Sequence, residues 1–413
     1  MNKLLIGYLF LFLSVVLITL LAFDSSYFPH LQVDIVVFYN RANFFLQNLS
    51  LEHLANNEYQ PGALLFFILL SPILSINNSF DTFKLAFFAA NILLLFLASI
   101  IPAKTVGWMG IAVFGLILLF TGPIILFRFD LLAALVVNLS FYFWLKDKKI
   151  LSFVILSIAT QIKVYPIIFL PYLLFLSFKN KGIKVAFGHL LCFLGSLIIF
   201  LSLFILIFDA RLADIINALD FHAKKPLGIE SVYATVLLLL NTPHLPQPVG
   251  AYGIWGFSPK DIVLPLQVYN YLWLIPFIIL HIVLFFQARR PNFDLRFCLV
   301  NILSFLIFSK VFAHQYLIWF LLIIPLFFKN HLKKTIWKIN LLLILLTSLL
   351  SQFIYPLNYT EFLEELMGKN NFSFVFYASI VRNILLVVLL VSLIFDWLKS
   401  SDKSTLVKTT SIS

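Results

Sequence analysis

The stretch LLIGYLFLFLSVVLITLLAF, from Leu4 to Phe23, contains no charged residue and is long enough to cross a membrane as a helix. Similar apolar runs recur as far as Leu398, and 62% of the 413 residues are hydrophobic while only 11% are charged. Ordinary globular domains are about 45–50% apolar and about 25% charged. The sequence therefore predicts an all-α polytopic membrane protein and excludes a water-soluble fold.

The basic residues indicate which side of the membrane each loop occupies. Of the 29 Lys and Arg residues, 17 lie in six short stretches beside apolar runs, and short loops rich in positive charge stay cytoplasmic. We therefore expect cytoplasmic N- and C-termini, with the first apolar run retained as a signal anchor. Because the basic residues form no contiguous arm, the net charge of +11 does not indicate nucleic acid. The six stretches are Lys3, Lys146 to Lys149, Lys179 to Lys184, Arg289 to Arg296, Lys329 to Lys338 and Lys399 to Lys408.

These anchors divide the chain into a single multi-span domain, residues 1–398, and a cytoplasmic tail, residues 399–413. We expect about ten to twelve spans. The runs 150–178 and 297–328 begin and end at basic stretches, so each is predicted to be a hairpin of two short spans. Near the N-terminus, five apolar runs connect two points that are both predicted to be cytoplasmic, so one of the runs cannot cross the membrane. The short run from Ala63 to Ile76 is the candidate.

The predicted outer face contains two longer connections, the first outer loop at 23–62 and an outer segment at 209–261, in which short interfacial helices are expected. Asp34 lies in an apolar, aromatic stretch, where desolvation favours a general base over a surface charge. Lys224 and Lys225 break the positive-inside pattern and indicate an anionic ligand at the headgroup level. Purely structural interpretations, such as an intramembrane ion pair, a solvated loop or a core histidine, stay open. The other polar residues on this face are Glu58, Arg128, Asp130, Gln161, Lys163, Tyr165, Glu230, Lys310, His314, Gln315, Tyr316 and Trp319.

Carboxylates and cations gathered at one membrane face suit the transfer of a group from a phosphorylated lipid to a hydroxyl. A carboxylate takes the proton of the acceptor, while Lys and Arg stabilise charge on the departing phosphate. The sequence contains no Walker, HExxH, GxSxG, CxxC or Rossmann motif, so nucleotide hydrolysis, zinc proteolysis and serine esterase chemistry lack support. A secondary transporter or lipid flippase is the first alternative, although it predicts functional charges near the bilayer midplane. A lipid-linked glycan polymerase or ligase is the second.

Six motifs, taken in order, resemble the polyprenol-phosphate-mannose-dependent mannosyltransferases of glycosyltransferase family 87, in the GT-C superfamily. The motifs are Asp34 after the first span, EYQP (Glu58–Pro61), RFDLLAAL (Arg128–Leu135), KVYP (Lys163–Pro166), IES (Ile229–Ser231) and QYLIWFLLIIP (Gln315–Pro325). The sequence departs from the family pattern at Gln60-Pro61-Gly62, at Lys225-Pro226 and at Ala313-His314. Because Lys in place of Arg loses bidentate phosphate geometry, the sugar and the lipid stay open.

The resemblance implies a GT-C-like bundle and an inverting transfer of mannose from a polyprenyl monophosphate to a lipid or glycan hydroxyl at the extracytoplasmic face. It makes Asp34 the general base, places Arg128 and Lys163 on the donor phosphate, and places Glu230 and Gln315 at the sugar or acceptor. From their position on the outer face we add Glu58 as a catalytic candidate, Lys224 and Lys225 as phosphate ligands, and Asp130, Tyr165 and His314 as substrate ligands. The visible residues require no metal, and no cofactor is expected besides the donor substrate.

Overall fold

A computed structural model describes residues 3–24, 28–51, 58–240, 248–258, 260, 262–287, 292–326, 334–368 and 373–401. Within these residues the chain is nearly all helical, and six helices are long and apolar enough to cross a membrane. They are Lys3–Ala22, Phe80–Thr105, Ile183–Phe208, Leu266–Phe286, Thr335–Leu357 and Phe374–Lys399. The prediction of a helical integral membrane protein is confirmed, whereas the number of ten to twelve spans stays a prediction.

The N-terminal half contains ten α-helices within the described residues. They are α1 (Lys3–Ala22), α2 (Phe28–Asn48), α3 (Pro61–Leu70), α4 (Pro72–Ile76), α5 (Phe80–Thr105), α6 (Trp108–Thr121), α7 (Asp130–Leu145), α8 (Lys149–Ile162), α9 (Leu170–Lys181) and α10 (Ile183–Phe208). Helix α1 packs against α6, and α8 packs against both α7 and α10.

The remaining elements include a small sheet that the sequence analysis did not predict. The helices are α11 (Leu212–Lys224), α12 (Val232–Leu240), α13 (Leu266–Tyr269), α14 (Leu274–Gln287), α15 (Leu295–Ile307), α16 (Leu317–Leu321), α17 (Thr335–Gln352), α18 (Tyr359–Leu366) and α19 (Phe374–Ser401). The strands are β1 (Leu227–Gly228), β2 (Pro248–Ala251) and β3 (Ile254–Phe257), antiparallel in the order β1-β3-β2. Residues 402–413 of the predicted tail lie outside the described residues.

The predicted first outer loop contains a helix that is longer than the short helices expected there, the 21-residue α2. Leu31, Ile35, Phe38 and Ala42 are buried at intervals of three or four residues, which is the spacing of an amphipathic helix. This stripe packs against α3 and α5, where the Phe38 ring stacks on Phe67 with 4.5 Å between centroids. The polar residues between the apolar ones made this helix resemble a loop in the sequence.

The two predicted hairpins are both interrupted at their polar centres. Helix α8 ends at Ile162, and a 3-10 turn from Tyr165 to Phe169 precedes α9. Similarly, α15 ends at Ile307 before a 3-10 turn from His314 to Tyr316. These breaks leave polar side chains at the ends of short apolar helices, and several of these side chains belong to the candidate site.

Candidate functional site

Polar side chains from distant parts of the chain converge at one end of the helical bundle. We call Asp34, Arg128, Asp130, Lys163, Glu230 and His314 the polar cluster. Asp34 lies on α2, Arg128 and Asp130 lie at the start of α7, and Lys163 follows α8 directly. Glu230 precedes α12, and His314 begins the turn before α16. Each of these six residues was predicted to be functional from the sequence, and the structure brings them together.

Asp34 and Arg128 form an ion pair that joins α2 to the start of α7. The Asp34 side chain is 34% exposed, whereas that of Arg128 is 6% exposed, so the pair lies at the edge of the bundle with its carboxylate towards the outside. Arg128 Nη2 also donates a hydrogen bond of 2.9 Å to the hydroxyl of Tyr355. The Arg128 Nε atom is buried and has no hydrogen-bond partner among the described residues. A buried guanidinium nitrogen without a partner is a donor available to a ligand.

Asp130, two residues after Arg128, forms a second ion pair. Its Oδ1 atom lies 2.5 Å from Lys163 Nζ and accepts a 2.5 Å hydrogen bond from the indole nitrogen of Trp319. A carboxylate in the first turn of a helix is favoured by the helix dipole, as is a cation at a helix C-terminus. Asp130 and Lys163 occupy such positions on α7 and α8. The pair therefore ties the ends of these packed helices together.

Lys163 lies in a cage of aromatic rings. Its Nζ atom is 4.9 Å from the ring centroid of Phe129, 5.1 Å from that of Tyr316 and 5.0 Å from that of Trp319. Burial lowers the pKa of Lys163, while the charge of Asp130 opposes that shift. An ammonium group has three donors, and Asp130 occupies one of them. Lys163 can therefore offer its other two donors to a ligand while the ion pair with Asp130 stays in place.

Glu230 and His314 form a further buried part of the cluster, together with Arg382 from α19. The Nε2 atom of His314 lies 3.2 Å from Glu230 Oε2, and Arg382 Nη1 lies 3.3 Å from His314 Nδ1. Because a guanidinium can only donate, Nδ1 is the acceptor and the proton of the neutral histidine lies on Nε2. Neither His314 Nε2 nor Glu230 Oε2 makes a hydrogen bond within the described residues. Burial raises the pKa of Glu230 to about 7, and the positive charge of Arg382 opposes this shift.

A third group lies beside the polar cluster and contains Glu58, His222, Lys225 and Lys310. His222 Nε2 donates to the Glu58 carbonyl at 3.1 Å, and burial lowers the pKa of His222 to about 3. Lys310 Nζ donates to the carbonyls of Ala223 and Lys225 at 2.6 Å each, which satisfies carbonyl groups at the end of α11. Burial lowers the pKa of Lys225 to about 8, and the carboxylate of Glu58 opposes this shift. Glu58 therefore belongs to this group through its contact with His222, and no ion pair joins it to Asp34 within the described residues.

The remaining predicted residues have different surroundings. Tyr165 is buried, its ring stacks on Trp319 with 4.1 Å between centroids, and its hydroxyl has no hydrogen-bond partner within the described chain. Gln315 is half-buried in the same turn as His314. Lys224 lies outside the polar cluster, because its half-exposed side chain pairs with Asp220 at 2.6 Å on the surface of α11.

Several residues of the site were not among the predicted ligands or catalytic residues, and three of them contact the polar cluster through hydrogen bonds: Trp319, Tyr355 and Arg382. Arg382 is fully buried within the long apolar helix α19, and a charge in a predicted span is itself a signal of function or pairing. Trp319 stood out in the sequence only as an aromatic neighbour of His314. Tyr355 carried no such signal, because tyrosines near the ends of spans are usual in membrane proteins.

Together with Arg382, the polar cluster contains three carboxyl groups and three basic side chains, and Asp34 is its most exposed carboxylate. Within the described part of the chain, no group of three or more His, Cys, Asp or Glu side chains is placed to hold a metal ion. No protein-family model matches this sequence, and a comparison with curated proteins finds no match either.

Proposed function

We propose that the protein is a membrane glycosyltransferase with a GT-C-like bundle of ten to twelve spans. It moves a sugar, with mannose as the first candidate, from a polyprenyl-phosphate donor to a hydroxyl of a lipid or glycan. The polar cluster faces the extracytoplasmic side, and both termini lie in the cytoplasm. Membrane lipids surround the protein and supply the donor.

The proposed transfer is a single displacement at the anomeric carbon of the sugar. The acceptor oxygen forms a bond to this carbon while the bond from the carbon to the phosphate oxygen breaks, which inverts the configuration. Asp34 takes the proton of the acceptor hydroxyl as the new bond forms. The phosphate leaves with the bonding electron pair, and the Arg128 guanidinium stabilises its charge.

The observation that supports this proposal most directly is the Asp34–Arg128 pair at the edge of the bundle. It combines a partly exposed carboxylate with a guanidinium whose buried Nε atom has no partner in the described residues. A phosphate oxygen is a suitable acceptor for that nitrogen, because Arg presents several donors in a rigid, planar fork. A phosphate bound by Arg128 would replace Asp34 on the guanidinium, which would free the carboxylate to take the acceptor proton on the opposite face of the anomeric carbon.

The test is sugar transfer by the purified, full-length protein in lipid nanodiscs, with labelled polyprenyl-phosphate-mannose and a panel of hydroxyl acceptors. Loss of a general base costs about 10²- to 10⁴-fold in rate, so Asp34→Asn should lower transfer by at least about 100-fold. Asp81→Asn is the matched control, because Asp81 is 78% exposed and, among the described residues, its ion pair is with Lys84 in its own helix. Equal transfer by the wild type and Asp34→Asn would contradict the assignment of the base.

The alternatives give different results in the same preparation. A transporter or flippase would move the labelled lipid across vesicle membranes without forming any sugar–acceptor bond. Arg382 lies within a span, as a transporter would require, but its contacts with His314 and with the Glu230 carbonyl join it to the polar cluster. A glycan polymerase or ligase would transfer a preassembled chain and not a single sugar, which the size of the labelled product reveals.

A further inference from the structure

The hydroxyl of Tyr355 connects Arg128 to the helix that carries Asp34. It accepts a 2.9 Å hydrogen bond from Arg128 Nη2 and donates a 3.0 Å hydrogen bond to the backbone carbonyl of His30. A phenolic hydroxyl has one proton to donate and lone pairs to accept, so the bond to His30 uses its only proton. His30 lies on α2 four residues before Asp34, which is about one helical turn. Tyr355 therefore links Arg128 to the helical turn that precedes Asp34.

The ring of Tyr355 is held on two sides. It lies parallel to the imidazole of His314, at an interplanar angle of 4° and 5.4 Å between centroids. It also meets the ring of Tyr359 edge to face, with 4.9 Å between centroids. These contacts fix the direction in which the hydroxyl points, independently of Arg128.

Arg128 needs such an anchor for a physical reason. Its long side chain loses conformational freedom when it is held in one geometry, and an ion pair with a partly exposed carboxylate compensates only weakly for that loss. A displacement of about 1 Å in a reacting or positioning group can cost about 100-fold in rate. A neutral hydroxyl fixed by ring packing holds the guanidinium without adding a charge that competes with an anionic ligand.

We propose that Tyr355 is a positioning residue that fixes Arg128 relative to Asp34 for binding a lipid phosphate. The inference rests on the proposed function for the identity of the reaction, but not for the binding step. Tyr355 acts through Arg128 and has no direct role in the chemistry. Its contribution is therefore expected to disappear when the guanidinium is replaced by a cation of different shape.

The experiment is a double-mutant cycle with the wild type, Tyr355→Phe, Arg128→Lys and the double variant, all full-length in nanodiscs. Two quantities are measured: kcat/KM for sugar transfer, and the Kd of polyprenyl phosphate. Tyr355→Phe keeps both ring contacts and removes only the hydroxyl. With Arg128 present, it should lower kcat/KM and raise Kd by roughly tenfold each, because a hydrogen bond to a charged group is lost. In the Arg128→Lys background the same change should cost less than about twofold.

Tyr39→Phe is the matched control. Tyr39 lies on the same helix as Asp34, and its hydroxyl donates a hydrogen bond of 3.1 Å to Asn78, outside the polar cluster. It should leave kcat/KM and Kd within about twofold of the wild type. Thermal unfolding of every variant checks that the fold is retained.

The outcomes separate this inference from the proposed function. An equal loss from Tyr355→Phe in both backgrounds would assign Tyr355 a general structural role and overturn the inference. If the wild type binds polyprenyl phosphate with the expected coupling but transfers no sugar from any donor, the positioning role stands and the transferase fails. Sugar transfer without coupling would support the transferase and overturn the positioning role. A wild type that neither binds polyprenyl phosphate nor transfers sugar overturns both.

Discussion

Asp130 is the most deeply buried carboxylate of the polar cluster, at 1% exposure, and it serves two partners at once. Removing one member of a buried ion pair leaves an uncompensated charge and costs about 3–5 kcal/mol. We therefore expect Asp130→Asn to lower the free energy of unfolding by about this amount, because Lys163 loses its counter-charge. The measurement is unfolding by denaturing detergent, followed by circular dichroism.

Two controls accompany Asp130→Asn. Asp147→Asn breaks an ion pair in which the Asp147 side chain is 79% exposed, so it should cost less than about 1 kcal/mol. The double variant Asp130→Asn/Lys163→Met removes both charges and should regain much of the lost stability. A single variant as stable as the wild type would show that the pair does not tie α7 to α8.

The raised pKa of Glu230 predicts that the stability of the protein depends on pH. Its folded pKa, about 7, is above the ordinary value of 4.5, so the native state binds more protons than the unfolded state between these values. The stability from this group is complete below about pH 4.5 and is lost as the pH rises through about 7. Glu230→Gln removes this titration, so its Tm should fall less than the wild-type Tm between pH 5 and 7.5, by about 2–5 °C.

The difference between the two proteins is the decisive quantity, because other groups titrate nearby. His222, with its pKa lowered to about 3, acts in the opposite direction below pH 6.5. Lys225 and Lys310, with pKa values of about 8, act above this window. These three contributions cancel in the difference. His314 lies 3.2 Å from Glu230, and burial lowers its pKa, so it acts in the same direction as His222. Identical slopes for the wild type and Glu230→Gln would show that Glu230 does not titrate in this range.

Among the helices, those that cross the bundle were predictable and those that depend on tertiary contacts were not. Long apolar runs identify α1, α5, α10 and α19 directly, because nothing else in a chain needs such runs. The interruptions near Lys163 and His314 were predictable because polar residues break apolar runs there. Strands β1 to β3 are only two to four residues long and are stabilised by pairing with one another, which no local pattern reveals.

Helix α3 approaches α8 closely at Gly62, so we expect a larger residue there to destabilise the protein. A Cβ atom added there would lie 2.8 Å from the Gln161 carbonyl oxygen, a backbone atom that cannot move alone. Gly62→Ala should therefore lower the free energy of unfolding by about 1–3 kcal/mol, as overpacking does. Because Lys163 follows Gln161 closely, transfer activity should fall as well.

Gly195→Ala is the matched control for Gly62→Ala. Gly195 lies within α10, and nothing is within 4 Å of a Cβ atom added to it. Ala is favoured over Gly in a helix, so this variant should be as stable as the wild type or more so, by up to about 1 kcal/mol. Equal stability of the two variants in detergent would contradict the close packing of α3 on α8.

At the scale of the whole molecule, α19 joins two buried polar groups at opposite ends of the bundle. Arg382 belongs to the site, whereas Asp396 accepts a 3.0 Å hydrogen bond from Trp337 and lies 3.7 Å from Arg296. At a rise of about 1.5 Å per residue, these two positions on α19 are about 21 Å apart along the helix. Arg296 belongs to a basic stretch predicted to be cytoplasmic, so the same prediction puts the polar cluster on the outer side.

This orientation is tested by labelling single cysteines with a membrane-impermeant maleimide. In a Cys192→Ser/Cys298→Ser background, Lys224→Cys should react in intact cells or right-side-out vesicles, because its side chain is 56% exposed near the site. Lys181→Cys, exposed at the end of α9, should react only after permeabilisation, because its basic stretch is predicted to be cytoplasmic. The opposite pattern would place the polar cluster in the cytoplasm, where an extracytoplasmic lipid donor could not reach it. Reaction of both cysteines in intact membranes would contradict the predicted path of the chain between α9 and α11, since one helix, α10, would then not cross.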